Sequence, residues 1–169
     1  MSSTNWISSK MDEYIVINTG PLIALERMRG LDIPPKLPYQ FIAPEEVKEE
    51  LDAGARKGYG IIAPAWLSFH RLGHQPPLIE VSSLGKGEAA VIALALEKNI
   101  ERVCIDEWKG RRAALMAGRK VLGALGILGR AKSLGLVSAL RPFINRAISC
   151  GIRYDQELIR QVLHAAGED

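Results

Sequence analysis

Strand-like and helix-like patterns alternate along this chain, and that alternation narrows the available folds more than any other feature. Tyr14-Ile-Val-Ile17 is a short β-branched and aromatic run, followed by Asn18-Thr-Gly-Pro21 and the helix-tolerant Leu22-Ile-Ala-Leu25. Asn18, Thr19 or Gly20 can cap such a helix, and a proline in its first turn forgoes no hydrogen bond. Tyr39-Gln-Phe-Ile-Ala43 reads as a second strand, and Pro44 opens a helix over Glu45 to Arg56 that is acidic at its start and basic at its end, as the helix dipole favours. Gly58 to Ser83 is rich in Gly and Pro, and reads as loop with an edge strand and no helix. Helix then returns over Glu88 to Lys98, strand over Arg102 to Ile105, helix over Glu107 to Ala117 and strand over Lys120 to Leu122. This order predicts a three-layer α/β/α domain around a central, mostly parallel sheet with right-handed crossovers.

Three further helical stretches follow, over Ala124 to Leu134, Ser138 to Ser149 and Asp155 to Ala166. Apolar Leu140, Phe143, Ile144 and Ala147 share one face of the second, and Leu158, Ile159, Val162 and Leu163 one face of the third. Such faces are expected to bury against their own sheet. At 169 residues with 47% hydrophobic content, the chain can bury one core, so 1–169 is read as a single domain, with a polar N-terminal extension at 1–12 and C-terminal helices at 138–169. Met1 to Lys10 lacks the apolar run of a secretory signal, and the longest apolar run, Ala89 to Leu96, is too short to cross a bilayer. A cytoplasmic protein is expected, with Cys104 and Cys150 reduced and buried.

The net charge of +3 conceals an asymmetry: residues 1–106 carry 11 Lys and Arg against 14 Asp and Glu, whereas 107–169 carry 11 against 5. An acidic part joined to a basic one suits a site that holds a cation and attracts a polyanion; it also describes an unevenly charged solvated surface.

Ligands of an open parallel sheet bind beyond the carboxyl ends of its strands, which directs attention to Asn18 after the first strand and Asp106 after Arg102 to Ile105. Glu88 starts the helix that feeds the latter strand, and Glu50 lies on the helix after the second. Each residue has a plainer explanation. Asn18 can be a helix cap, Glu88 a first-turn acid, Glu50 a solvated member of Glu45-Glu46-Glu49-Glu50, and Asp106 a cap for the helix at Glu107. Lys109, Arg111 and Arg112 follow Asp106 on an early helical turn, where they either contact phosphates or form a solvated face. The glycines at 123, 126 and 129 do not match a dinucleotide fingerprint and read as a tight turn with close packing. His70, His74 and His164 lack zinc-site spacing.

Taken in order, Ile17-Asn-Thr-Gly-Pro-Leu-Ile-Ala-Leu25, Pro44 to Leu51, Gly87-Glu-Ala-Ala-Val-Ile-Ala-Leu94 and Val103-Cys-Ile-Asp-Glu107 resemble the PIN-domain family. They are most similar to a prokaryotic branch related to VapC-type toxins. Arg111-Arg112, Gly123 to Lys132 and Leu134 to Val137 extend the resemblance over nearly the whole chain after Met11. It implies that the family's carboxylate positions fall on Asn18, Glu50, Glu88 and Asp106, with Glu49 the competing choice for Glu50 and Glu107 at the rim. It also implies a metal-dependent ribonuclease using Mg²⁺ or Mn²⁺, which hard oxygen donors suit. RNA is then the expected partner, with a small antitoxin protein and a homodimer also expected. Asn18 departs from the pattern, since family members usually carry Asp there, and the amide removes one negative charge from the site. The resemblance therefore also admits a catalytically weak or inactive module that binds RNA or protein.

Overall fold

The computed structural model describes residues 13–169; the polar stretch Met1 to Lys10 lies outside them. The described elements run β1 (Tyr14–Ile17), α1 (Thr19–Arg27), a 3-10 turn (Pro34–Lys36), β2 (Gln40–Pro44), α2 (Glu45–Arg56), β3 (Leu67–His70) and α3 (Leu78–Leu84). After these come α4 (Lys86–Glu97), β4 (Arg102–Cys104), α5 (Trp108–Met116), β5 (Lys120–Leu122), α6 (Ala124–Ser133), α7 (Arg141–Ser149) and α8 (Gln156–Ala165). All five strands are parallel, in the order β3-β2-β1-β4-β5. Helices flank this sheet in the three-layer α/β/α arrangement that the alternation predicts.

The strand order reverses at β1, whose neighbours are β2 on one side and β4 on the other. Connections from the two strands therefore diverge, opening a crevice at their carboxyl ends. Register sets which residues reach it. Ile17 pairs with Cys104, and the Asn18 amide extends that ladder by donating to the Cys104 carbonyl at 3.0 Å. On the next pair, the Ile105 amide donates to the Leu122 carbonyl at 2.9 Å. Asn18 is thus the first residue past the end of β1, and Asp106 the second past the end of the adjacent β4.

The core explains why these strands form. Ile15, Val16, Ile17, Val103 and Cys104 are fully buried, the continuous apolar run expected of strands covered on both faces. Helix α4 packs on β1, β2 and β4 and buries Ala90, Val91, Leu94 and Ala95. At the sheet edge, the Trp66 indole donates to the Leu31 carbonyl at 2.7 Å and meets Phe41 edge-on, with ring centroids 5.5 Å apart. Burying the ring while satisfying its N–H ties the long connection before β3 to the core.

Three expectations need correction. The segment Gly58 to Ser83 contains a helix, α3, that periodicity could not reveal because none of its residues is buried; Leu78 and Ile79 are 85% and 78% exposed. It begins after Pro77 and stops at Gly85, whose φ of +96° breaks the helical path. The second C-terminal helix starts at Arg141 instead of Ser138, because Glu168 accepts from the amides of Leu140 at 2.7 Å and Arg141 at 3.2 Å and fixes the helix start. Cys150 is exposed, not buried, although both cysteines are free.

The apolar face of α7 behaves as expected, with Leu140, Ile144 and Ala147 buried, and the Arg146 Nε donates to the Met28 carbonyl at the end of α1 at 2.7 Å. The face of α8 is covered only in part: Leu163 is buried but Leu158 is 43% exposed. Among the described residues, no helix is long and apolar enough to cross a membrane.

Glu168 also pairs with Lys132 at 2.8 Å. That ammonium group and the two amides pull its carboxyl pKa down to about 2. A depressed carboxylate contributes stability above its unfolded pKa and loses it as pH falls through the folded value. Glu168→Gln is expected to cost about 0.5–2 kcal/mol at pH 7, the range for a lost helix cap. The difference from the wild type, followed by urea denaturation, should shrink as pH drops from about 4 to about 2.

Candidate active site

Asn18 sits at the N-cap position of α1 but makes no side-chain capping hydrogen bond, which excludes the plain helix-cap explanation. Its side chain is 3% exposed, and its amide donates to the Glu88 carboxylate, leaving Oδ1 buried without a partner. An orphaned oxygen at that depth costs free energy unless something outside the protein meets it.

Glu88, in the first turn of α4, also meets Glu107, the residue just before α5. Burial raises the Glu88 pKa, the neighbouring Glu107 carboxyl raises it further, and the Asn18 amide opposes both. Two carboxyls in contact cannot both ionise freely without a cation or a shared proton. Glu107, expected only at the rim, is therefore a direct neighbour of Glu88.

Glu50 is neither fully solvated nor free. Its Oε2 accepts from the Thr19 hydroxyl at 2.7 Å, beside Asn18, and its carboxylate lies against Gly87, beside Glu88. A Cβ at position 87 would overlap Glu50 Oε1. Glu49, the competing candidate, instead points to the surface and pairs with Lys86 at 2.9 Å. Within the same acidic run the deeply buried member is Glu46, with an unpartnered Oε2.

Asp106 caps a helix, but not the one that directly follows it. Its Oδ1 accepts from the Ala124 amide at 2.9 Å, the first residue of α6, and sits where a side chain on Gly123 would clash. Burial raises the Asp106 pKa, against the pull of the Ala124 N–H and the positive charge of Arg111. The glycine at 123 thus serves close approach of a carboxylate, a more specific role than the packing expected for that run.

Asn18, Glu50, Glu88, Glu107 and Asp106 all lie along one carboxyl edge, but they do not surround a single point. Among the described residues, no three His, Cys, Asp or Glu side chains meet closely enough to hold a metal ion. This acidic cluster places Glu107 and the Asn18 amide beside Glu88, with Glu50 held by Thr19 and Asp106 held by the Ala124 amide near Arg111. Its donors are hard oxygens, of the kind that could hold Mg²⁺ or Mn²⁺.

A PIN-domain family model matches residues 14–168. The chain belongs to the PIN-domain family. No curated protein and no solved structure matches it. A PIN domain is a nuclease-type fold, so the acidic edge of this one is the natural place to look for its chemistry.

On the flank of this PIN domain's acidic edge, the three basic residues singled out from the sequence behave differently from one another. Arg111 is half-buried, and its Nη1 donates to the Ile105 carbonyl at 2.8 Å beside Asp106. Arg112 stacks over the Trp108 ring at 5.4 Å from its centroid, and Lys109 is exposed. Sequence reasoning missed Thr19, which looked like an alternative cap. It also missed Tyr154, whose buried hydroxyl has no partner and whose pKa is pushed up by burial and by Asp106. No periodic or motif signal marks Tyr154, because it lies between helices and 48 positions from Asp106 in sequence.

A raised carboxyl pKa contributes stability below the unfolded pKa and loses it as pH rises through the folded value. At neutral pH and with divalent ions chelated, the ionised Glu88 therefore weakens the fold. Glu88→Gln is expected to raise the denaturation midpoint at pH 7 in EDTA and to leave it nearly unchanged at pH 4.

Proposed function

We propose that this PIN domain is a cytoplasmic endoribonuclease that depends on Mg²⁺ or Mn²⁺, and that it is the toxin half of a toxin and antitoxin pair. One observation carries the nuclease reading: the buried, unpartnered Asn18 Oδ1 lies beside the touching carboxyls of Glu88 and Glu107, at the point where the strand order reverses. Without a cation, both the orphaned oxygen and the paired acids are unfavourable; one hard ion would relieve both. The family resemblance implies Asn18, Glu50, Glu88 and Asp106 as its ligands, with Glu107 as a contributor; Glu50 and Asp106 would have to move toward Glu88 to share one ion, since no three acidic side chains meet among the described residues. A bound divalent ion would polarise the scissile phosphate and ease deprotonation of an attacking water.

The chain's own residues supply the rest. Burial and Glu107 raise the proton affinity of Glu88 above that of an ordinary carboxylate, the direction that favours a general base. Asp106 is held in place by the Ala124 amide, so its position does not depend on substrate. Lys109, Arg111 and Arg112 place positive charge on the flank, where a phosphate backbone is drawn in.

A second reading has its own support. The neutral Asn18 amide, and the failure of any three acidic side chains to meet, fit a module that binds RNA without cutting it. Purified protein incubated with mixed RNAs and Mn²⁺ separates the two. Cleavage that falls at least about 100-fold in Glu88→Ala and Asp106→Ala supports the nuclease; equal cleavage in all three proteins refutes catalysis by this site. In calorimetric titration, Asn18→Asp is expected to bind Mn²⁺ more tightly than the wild type. Metal binding seen only in that variant would favour the non-cutting module. A small open reading frame directly upstream would support the toxin role, which rests on the VapC-like sequence resemblance.

A further inference from the structure

Beside Asp106 the structure contains a cleft of about 700 Å³, a size typical of small-molecule sites. One wall is apolar, formed by Leu125 of α6 with Leu158 and Val162 of α8. The rest of the lining includes Trp108 and Tyr154 and four charged residues, the arginines at 111 and 153 and the aspartates at 106 and 155. We propose that this cleft is a base-binding subsite, seating the nucleobase of one nucleotide that adjoins the Asp106 edge. The inference rests on the nuclease reading for its link to cleavage, although binding in the cleft needs no metal.

The lining matches the chemistry of a nucleotide part by part. A nucleobase has two apolar faces and a polar rim, and the cleft combines apolar helix faces with polar and charged side chains. Tyr154 is part of the lining, with its hydroxyl buried behind the surface, so its other atoms face the cleft. Arg153 has no ion-pair partner among the described residues, and Arg111 spends one guanidinium N–H on a backbone carbonyl. Both retain positive charge for a phosphate. Trp108 is 68% exposed, with Arg112 over its ring, which leaves an aromatic surface for stacking at the entrance. The partial exposure of Leu158 has the same explanation, since α8 leaves open the wall that a base would cover.

The test is binding in EDTA, so that metal and cleavage play no part. The four nucleoside monophosphates and ribose 5-phosphate, which has the same sugar and phosphate without the base, are titrated at millimolar concentrations and followed by ligand-observed NMR. At least one monophosphate should bind about tenfold more tightly than ribose 5-phosphate. Leu158→Trp, which fills the cleft from a partly exposed position, should abolish that advantage. Thermal unfolding of the variant confirms that it is folded. Equal binding of ribose 5-phosphate, no binding by any monophosphate, or unchanged binding in Leu158→Trp overturns the subsite. Base-dependent binding in a protein that never cleaves RNA would retain the subsite and reject the nuclease.

Discussion

Carboxyls brought together at the edge of a buried sheet repel one another and lose solvation, and much of this structure is arranged around that cost. The half-buried Glu88 meets the exposed Glu107, and burial alone raises the proton affinity of Asp106. The compensations are specific. Thr19 donates to Glu50, the Ala124 amide donates to Asp106, Arg111 lies beside Asp106, and Asn18 donates to Glu88. Glycines at 87 and 123 leave room for the carboxylates of Glu50 and Asp106. Such an arrangement is less stable than an apolar one would be, which is the usual cost of a preorganised functional site.

Asn18 changes the balance within that arrangement. An aspartate there would add a third negative charge to the Glu88 and Glu107 pair, increasing both the repulsion without metal and the attraction for a cation. The amide does neither, and its Nδ2 partly neutralises Glu88 by hydrogen bonding. Its Oδ1 nevertheless keeps the same need for a partner. A neutral ligand at this position thus trades metal affinity for stability of the metal-free protein, the relation that separates the cutting and non-cutting readings.

Much of the fold was legible because parallel strands covered on both faces must be continuously apolar and must alternate with crossover helices. β1, β2, β4 and β5 were all visible as short apolar runs. α3 was not, since a helix that buries nothing leaves no periodic trace. At the candidate site, Asn18 and Asp106 stood out because a polar residue directly after an apolar strand has few structural reasons to be there. Glu50 was separable from Glu49 only once Thr19 and Gly87 were seen against it, because both glutamates occupy the same acidic helix. The partner of Asp106 lies 18 residues away at the start of α6, so no local pattern could show that it caps that helix instead of its own.

The sequence by itself determined the α/β alternation, the apolar core and the order in which acidic residues enter one edge, because these follow from periodicity and from what a strand end can bury. Only the tertiary structure decided which oxygens touch: Glu88 with Glu107 and Asn18, Glu50 with Thr19, Asp106 with Ala124. Those contacts depend on helix packing across the crevice between β1 and β4. They also depend on the cleft that α6 and α8 leave beside Asp106, where Tyr154 is buried. Spacing along the chain carries no information about such meetings, since each joins residues from separate elements whose relative placement the core sets.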